Sequence, residues 1–211
     1  MDLVWAPLLG YLLGSLPFAV IVSRALGIAD PRSFGSGNPG ATNVLRSGNK
    51  LAALLTLLGD AAKGWLAMVI AAKVGAGETA VAAAGVAAFL GHVFPITLRF
   101  KGGKGVATAL GVLLGFSGVL GAIVAAIWLA IAAVTRYSSL AALVAAASAP
   151  SIAMLRHEPT VVVIAVSIIS VMLILRHKAN IQKLLAGTED RIGAKKKNQP
   201  DTQPGNGSKE S

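Results

Sequence analysis

Long apolar blocks separated by short polar segments dominate this chain. Most blocks approach the ~20 residues that a helix needs to cross a ~30 Å hydrocarbon core, whereas a membrane β-barrel would show short segments of alternating polarity. The pattern therefore predicts an all-α polytopic integral membrane protein. Its seven transmembrane helices are expected at residues 3–23, 51–72, 79–98, 106–115, 119–134, 140–155 and 160–175.

The distribution of basic residues predicts how these helices are oriented. Of the 19 Lys and Arg residues, Lys73 and Arg156 fall on one face of the membrane and Lys63 lies within a helix, while the remaining 16 fall on the opposite face. Cytoplasmic loops carry an excess of Lys and Arg. The N-terminus is therefore expected outside and the C-terminus in the cytoplasm.

Residues 106–134 leave one alternative open. Two crossings in this segment, with a turn at residues 115–118, are short for a bilayer and would need bilayer thinning or burial behind other helices. A single long tilted helix would give six crossings and would place Arg136 outside. We favour seven, because Arg136 then joins the basic face.

The composition changes after residue 175. Residues 176–187 predict a short amphipathic helix with Ile181, Leu184 and Leu185 on one stripe. The last segment is polar and rich in Gly and Pro, which is typical of disorder. We therefore expect one membrane domain over residues 1–192 and a basic, polar cytoplasmic tail over residues 193–211. The lysines of the tail would add attraction to anionic lipid.

Composition and charge exclude several classes of function. The net charge is +10, but the basic residues lie between the apolar blocks and in the tail. This is the pattern of the positive-inside rule, so we expect no nucleic-acid partner. The chain has no cysteine, which excludes disulfides, thiolate metal ligands and a Cys nucleophile. We expect neither a metal nor a cofactor.

A glycine-rich basic loop, GSGNPGATNVLR, occupies residues 35–46 and is called motif 1. Glycine permits dihedral angles that let consecutive N–H groups converge on an anion, and three glycines could serve here: Gly35, Gly37 and Gly40. Neutral donors and a guanidinium suited to phosphate accompany them: Ser36, Asn38, Thr42, Asn43 and Arg46. The glycine spacing matches a dinucleotide fingerprint, but no βαβ unit fits between two membrane helices. Motif 1 is expected to bind phosphate; a flexible loop with a topogenic arginine is the alternative.

A second glycine-rich loop, KGGKGVAT, occupies residues 101–108 and is called motif 2. It resembles half of a P-loop, except that Gly105 stands where Ser or Thr would follow Lys104. We expect the N–H groups of Gly102 and Gly103 to face outward, with Lys104 supplying charge. The helix that begins next would favour phosphate through its dipole. A topogenic basic turn is the alternative.

A third polar segment, HKANIQKLLAGTE, occupies residues 177–189 and is called motif 3. His177 and Asn180 are three residues apart and would share one face of a helix that enters from the bilayer. Snorkelling explains Lys178 and Lys183 but not this pair. His177 and Asn180 are therefore candidate site residues.

Three residues of the Asp, Glu, Lys, Arg and His types fall inside predicted membrane helices. Asp60 and Lys63 are three residues apart and can touch on one helix face. Each charge costs about 2.5–3.5 kcal/mol at the middle of a membrane, so mutual neutralisation and a site role for Lys63 both stay open. His92, near Pro95, is expected to be a hydrogen-bonded packing residue.

Together the three motifs resemble the bacterial acyl-phosphate:glycerol-3-phosphate acyltransferases of the PlsY type, in order, spacing and hydropathy over about residues 3–190. The resemblance implies seven transmembrane helices in the bacterial inner membrane, with the active site facing the cytoplasm. It implies acyl transfer from an acyl phosphate to the 1-hydroxyl of sn-glycerol 3-phosphate. The products would be lysophosphatidic acid and phosphate, in the first step of phospholipid synthesis.

The resemblance also implies site residues in each motif. Motif 1 contributes Ser36, Gly37, Asn38, Asn43 and Arg46; motif 2 contributes Gly102, Gly103 and Lys104; motif 3 contributes His177, Asn180 and Glu189. The family often has Arg in its third motif where this chain has Lys178 and Lys183. Lys lacks the bidentate fork of Arg, so we expect no direct substrate contact from those two.

The chain lacks a catalytic motif of other acyltransferases, and an acyl phosphate donor would not require one. None of the three histidines is followed by Asp five positions later, the spacing that other acyltransferases use. An acyl phosphate is already activated, so direct attack without a covalent acyl-enzyme needs positioning and charge stabilisation. We expect Ser36, Arg46 and Lys104 to bind phosphate.

His177 and Asn180 are expected to orient glycerol 3-phosphate. The proton acceptor stays open between the substrate phosphate and His177. Expected partners are acyl phosphate, glycerol 3-phosphate, membrane lipid and an upstream enzyme that forms the acyl phosphate. A transporter with charged or broken helices at mid-membrane, and a membrane scaffold, are the rival classes.

Overall fold

The computed structural model describes residues 1–193, and within that range every regular element is helical. Nearly all of the predicted tail lies outside the described residues. The α-helices are α1 (Asp2–Gly14), α2 (Phe18–Ala25), α3 (Ala41–Leu45), α4 (Lys50–Lys73), α5 (Glu78–Val93), α6 (Val106–Phe116), α7 (Gly118–Thr135), α8 (Ser138–Leu155), α9 (Thr160–Arg176) and α10 (Lys178–Leu185). The all-α prediction is confirmed.

Five segments are long and apolar enough to cross a membrane. They are α1 with α2, α4, α5 with the 3-10 turn Ile96–Leu98, α7 and α8. A sixth is added if α9 and α10, which meet at a bend of 56°, count as one. The chain is thus a multi-pass helical membrane protein, while seven crossings and the orientation of the termini stay predictions.

The first predicted helix is broken in the structure. We expected one helix over residues 3–23, but α1 ends at Gly14 and α2 begins at Phe18. Pro17 lies between them and has no N–H to donate to the preceding turn, so it interrupts the hydrogen-bond ladder. At the break, the carbonyl oxygen of Leu16 accepts from the Phe18 N–H at 3.2 Å and from the Lys63 ammonium at 2.7 Å.

Residues 106–134 form two helices rather than one. Ser117 has extended backbone angles, and its hydroxyl accepts from the N–H of Leu120 at the start of α7. Gly121 of α7 lies against the Leu114 side chain of α6, so the two helices pack as a hairpin. The single tilted helix is therefore wrong. With 11 residues, α6 is about 16 Å long, which is half of a hydrocarbon core.

Small residues let the helices that carry the motifs approach closely. Gly10 and Gly14 of α1 contact the backbone of Ala84 and Ala88 on α5 so tightly that no Cβ would fit. Gly111 of α6 contacts the backbone of α4 in the same way. Close approach through small residues is typical of membrane helix pairs. These contacts fix the ends of α5 and α6, where motif 2 lies.

Candidate active site

Asn43 organises motif 1 from inside the loop. Its side-chain oxygen accepts the Ser36 N–H at 2.9 Å, and its amide nitrogen donates to the carbonyl oxygens of Pro31 (2.6 Å) and Phe34 (3.2 Å). The side chain is buried. Gly35 has a φ of 60° and lies directly on this side chain. Asn43 and Gly35 thus shape the loop, where we expected contacts with substrate.

Two of the three glycine amides that were expected to converge on an anion, those of Gly37 and Gly40, are engaged within motif 1. The Gly37 N–H donates to Phe34 and the Gly40 N–H to Asn38, in addition to the Ser36 bond to Asn43. What remains accessible are side chains, chiefly Ser36, Thr42 and Arg46, all exposed, with Asn38 half-buried. Motif 1 therefore offers exposed hydroxyl and guanidinium groups to a phosphate.

The glycines of motif 2 serve close packing. The N–H groups of Gly102 and Gly103 donate to the carbonyl oxygens of Val93 and His92, both at 3.2 Å, so they do not face outward as we expected. A Cβ on Gly103 would overlap the His92 ring, and one on Gly105, whose φ is 86°, would overlap Phe89. Motif 2 thus lies flat on the end of α5, and the donors available to an anion are those of the first turn of α6.

Lys104 lies where the charges of all three motifs meet. Burial lowers the pKa of its ammonium, the Glu189 carboxylate opposes that change, and three further cations nearby lower the pKa further: Arg46, Lys183 and Arg176. Motif 1 contributes one of these cations, and the others come from α9 and motif 3. A half-buried cation among cations attracts a phosphate strongly.

His177 lies at the bend between α9 and α10 and is buried. Its Nδ1 is 2.8 Å from the carbonyl oxygen of Leu173, which can only accept, so Nδ1 carries the hydrogen. Burial lowers the pKa of His177 to about 4, and the charges of Lys104 and Arg176 act in the same direction. The imidazole is therefore neutral near pH 7, with an electron pair on Nε2.

Glu189 joins motif 3 to α8. One carboxylate oxygen, Oε1, accepts from Asn180 Nδ2 at 2.7 Å and from Ser139 Oγ at 2.6 Å. The next residue, Asp190, forms an ion pair with Arg46 at 3.0 Å. The segment after α10 therefore connects α10, α8 and motif 1, and the residue that follows motif 3 contacts motif 1 directly.

Sequence reasoning missed two residues of this site. Arg176 was counted only as a basic residue at a helix end, but its Nη2 donates to the carbonyl oxygens of Gly102 (3.4 Å) and Gly103 (3.5 Å). Ser139 lies just before the predicted helix at residues 140–155 and is not among the predicted site residues, but its hydroxyl donates to Glu189. The available signal was the adjacency of Arg176 to His177 and the pair of hydroxyls beside Arg136.

Asp60 and Lys63 form an ion pair, as expected if the two charges neutralise each other within the membrane. The Lys63 ammonium is 2.8 Å from Asp60 Oδ1, and His92 Nδ1 is 3.4 Å from the same oxygen. All three side chains are buried. Within residues 1–193 no group of three or more His, Asp or Glu side chains is placed to hold a metal ion.

These features define a multi-pass helical membrane protein with a cluster of cations where three polar motifs meet at helix ends. A family model described as glycerol-3-phosphate acyltransferase matches residues 4–187. The chain belongs to that family, and the resemblance drawn from the three motifs is confirmed.

Individual relatives agree with the family assignment. The glycerol-3-phosphate acyltransferase of Laribacter hongkongensis is 58% identical over 201 residues, which cover 93% of this chain and all of the relative. That of Ralstonia nicotianae is 60% identical over 191 residues, covering 89% of this chain and 92% of the relative.

Solved structures of PlsY (YgiH), an integral membrane glycerol 3-phosphate acyltransferase, share the fold. The glycerol 3-phosphate form has a TM-score of 0.86 at 37% identity, and the lysophosphatidic acid form has 0.85 at 36%. Each comparison covers 92% of this chain and 96% of the solved one.

Proposed function

We propose that this protein transfers an acyl group from an acyl phosphate to the 1-hydroxyl of sn-glycerol 3-phosphate. The observation that carries the proposal is the clustering of three cations, Arg46, Arg176 and Lys183, around Lys104, in a chain whose relatives are named for glycerol 3-phosphate. Both proposed substrates carry phosphate, and one carries an acyl chain that partitions into lipid. A cationic pocket in a membrane protein suits both.

The proposed step is a direct transfer. The hydroxyl oxygen attacks the acyl carbonyl carbon, the bond between that carbon and the phosphate oxygen breaks, and the hydroxyl proton passes to a base and from there to solvent or to the released phosphate. The products are 1-acyl-glycerol 3-phosphate and inorganic phosphate. Lys104 and Arg46 stabilise the negative charge that the leaving phosphate gains.

Ser36 and Thr42 add neutral donors to the phosphate that Arg46 binds. His177 and Asn180 orient glycerol 3-phosphate, and Glu189 holds Asn180 in place. Gly35, Gly37, Asn43, Gly102, Gly103 and Gly105 act by shaping the two loops, since their polar groups are engaged there or their Cα positions are crowded. Neutral His177 could accept the hydroxyl proton at Nε2; the phosphate of the acyl donor is the other acceptor.

The pocket is proposed to face the cytoplasm of a bacterial inner membrane, where an enzyme that forms acyl phosphate would supply the donor. The broken α1–α2 segment and the buried charges are features that a transporter would also have. Here, however, they lie beneath motifs 1 and 2, because Pro39, Gly102 and Gly103 line the same cavity as Asp60 and Lys63. That arrangement favours the enzyme.

The test uses purified protein in detergent with palmitoyl phosphate and glycerol 3-phosphate. We expect inorganic phosphate and lysophosphatidic acid in equal amounts. Palmitoyl-CoA and palmitoyl-acyl carrier protein serve as alternative donors, and Lys104→Ala serves as the impaired control. Product from a thioester but not from palmitoyl phosphate would overturn the donor assignment.

A further inference from the structure

Asp60, Lys63 and His92 form a buried polar cluster that the three motifs do not include. Asp60 and Lys63 belong to α4, His92 belongs to α5, and each side chain is at most 7% exposed. One carboxylate oxygen of Asp60 faces both the Lys63 ammonium at 2.8 Å and His92 Nδ1 at 3.4 Å. The cluster thus joins two helices at a single atom.

Lys63 connects the cluster to the break between α1 and α2. Its ammonium donates to the carbonyl oxygen of Leu16 at 2.7 Å and lies 5.9 Å from the centre of the Phe18 ring. The same carbonyl also accepts the Phe18 N–H at 3.2 Å, whereas Val20, which would donate to it in a continuous helix, donates to the carbonyl oxygen of Pro17 instead. Lys63 therefore fixes the chain at the break.

His92 connects the cluster to motif 2. Its backbone carbonyl accepts the Gly103 N–H at 3.2 Å. Its ring nitrogen Nε2, on the side away from Asp60, lies directly against the Cα of Gly103, where no Cβ would fit. Since Nδ1 faces Asp60, the orientation of the ring is set by the cluster. Lys104 follows Gly103 in the chain, so the ring supports the residue that precedes the pocket cation.

The cluster also lies between motifs 1 and 2. One small cavity is lined by Asp60, Lys63 and His92 together with Pro39 of motif 1 and residues 102–103 of motif 2. From the opposite side, Arg176 donates to the carbonyl oxygens of the same two glycines. The N–H groups of the turn at residues 102–103 thus donate to α5, and the carbonyl oxygens of the same turn accept from Arg176 of α9.

We propose that Asp60, Lys63 and His92 are positioning residues that set the turn at residues 102–103 and thereby place the Lys104 ammonium in the phosphate pocket. The inference rests on the proposed function, because it assigns Lys104 to phosphate binding. It adds residues that touch no substrate. Their action passes through the backbone of motif 2.

A packing role alone does not account for the cluster. Apolar residues of similar volume fill a buried site at least as well as an ion pair does, whereas an ion pair fixes particular atoms of different segments relative to one another. Here those atoms belong to α4, α5 and the α1–α2 break, and motif 2 lies on the ring that they orient. Directional contacts of this kind suit a loop with little side-chain packing of its own.

A double-mutant cycle tests the proposal. His92→Ala should lower kcat/KM for glycerol 3-phosphate and palmitoyl phosphate by about 10²-fold, the loss that a 1 Å misplacement of a catalytic group can cause. In the Lys104→Ala background, the same change should cost less than about twofold, because the cation that His92 positions is gone. Equal losses in both backgrounds, or near-normal activity of the single variant, would overturn the proposal.

Two further variants separate positioning from folding. His92→Gln keeps a donor for Asp60 and comparable bulk under Gly103, so it should recover a large part of the activity that His92→Ala loses. Thr56→Val is the matched control: Thr56 is buried on α4 one turn before Asp60, and its hydroxyl has no partner among the described residues. This control should change activity by no more than about twofold. A loss in Thr56→Val as large as that in His92→Ala would contradict the proposal.

A binding measurement keeps this result distinct from the proposed function. Stabilisation of the purified protein by glycerol 3-phosphate and by inorganic phosphate is measured by thermal unfolding, for the same four members of the cycle. We expect His92→Ala to weaken the stabilisation only where Lys104 is present. Should the wild-type protein bind phosphate but transfer nothing from palmitoyl phosphate, the donor assignment fails, and the binding cycle still decides whether the cluster acts through Lys104. Additive effects on binding would overturn it.

Discussion

Lys104 and Arg46 differ in burial and in the charged groups that surround them. Lys104 is half-buried and surrounded by other cations, which together with burial lower the pKa of its ammonium. Arg46 is about one-third exposed and already has a carboxylate partner in Asp190. Substrate phosphate therefore relieves repulsion at Lys104 but must compete for Arg46. We expect the larger contribution from Lys104.

Lys104→Ala should lower kcat/KM by about 10²–10³-fold, as for the loss of one donor that stabilises developing charge. Lys50→Ala is the matched control, because it removes one exposed lysine at the start of α4 and should change the rate by no more than about twofold. Both rates are measured by phosphate release in detergent. A folded Lys104→Ala variant with near-normal kcat/KM would remove Lys104 from the pocket chemistry.

His177 predicts a particular pH dependence. Its pKa of about 4 lies below the ordinary value of 6.5, so the ring stays neutral as the pH falls through 6.5 and gains a proton only near pH 4. A substrate phosphate titrates near pH 6 on its own. The ratio of kcat/KM between wild type and His177→Asn should therefore be constant from about pH 5.5 to 8. A limb between pH 6 and 7 that disappears in the variant would show that His177 titrates there.

The sequence predicted the site residues that lie in the polar motifs, but not those whose role depends on which segments meet at the helix ends. Arg46, Lys104, His177 and Asn180 stand out because each lies in one of the three polar motifs. Ser139 and Arg176 do not, since each acts only where α8 or α9 ends beside another segment. The amides of Gly102 and Gly103 were misjudged for the same reason, because only the fold brings α5 beneath them. Pro17, in contrast, indicates the break in the sequence itself, although we predicted one continuous helix over residues 3–23.

The segment that follows α10 is expected to act through Glu189. Glu189→Ala removes one acceptor from both Ser139 and Asn180, and bonds to a charged acceptor contribute about 1.5–3 kcal/mol each, so activity should fall at least tenfold. Glu189→Gln retains an oxygen for both donors and should lose less. Kinetics and thermal unfolding are measured together.

Asp190→Asn is the neighbouring control for that series. Its ion pair with Arg46 is exposed and contributes at most about 1 kcal/mol, so the change should alter kcat/KM less than about fivefold. A larger effect of Asp190→Asn than of Glu189→Ala would contradict the assignment of Glu189 as the connecting residue.

The short length of α6 determines how far Lys104 lies below Arg136 along the helix axes. As a hairpin with α7, which has 18 residues, α6 with 11 residues falls short of the end of α7 by about 10 Å. Motif 2 precedes α6, so Lys104 is recessed by roughly that distance below Arg136. The proposed phosphate site would thus lie closer to the acyl chains than Arg136 does, and Ile192, in the segment that follows α10, is hydrogen-bonded to Arg136.

The orientation of this arrangement can be measured directly because the chain has no cysteine. Single-cysteine variants are placed at four exposed positions, Ser47, Lys73, His157 and Thr188, and treated with a membrane-impermeant maleimide. With seven crossings and the N-terminus outside, Lys73→Cys and His157→Cys should react in intact cells. Ser47→Cys and Thr188→Cys should react only after lysis.

The pattern of labelling distinguishes the alternatives because each moves different positions. An inverted protein would expose Ser47→Cys and protect Lys73→Cys. Six crossings would keep those two unchanged but exchange His157→Cys with Thr188→Cys, since a half-length α6 that failed to cross would reverse every later segment. Motif 1 would then face the cytoplasm and motif 3 the outside, which is incompatible with the contact between Arg46 and Asp190. The ion pair and the labelling must therefore agree, and we expect both to require seven crossings.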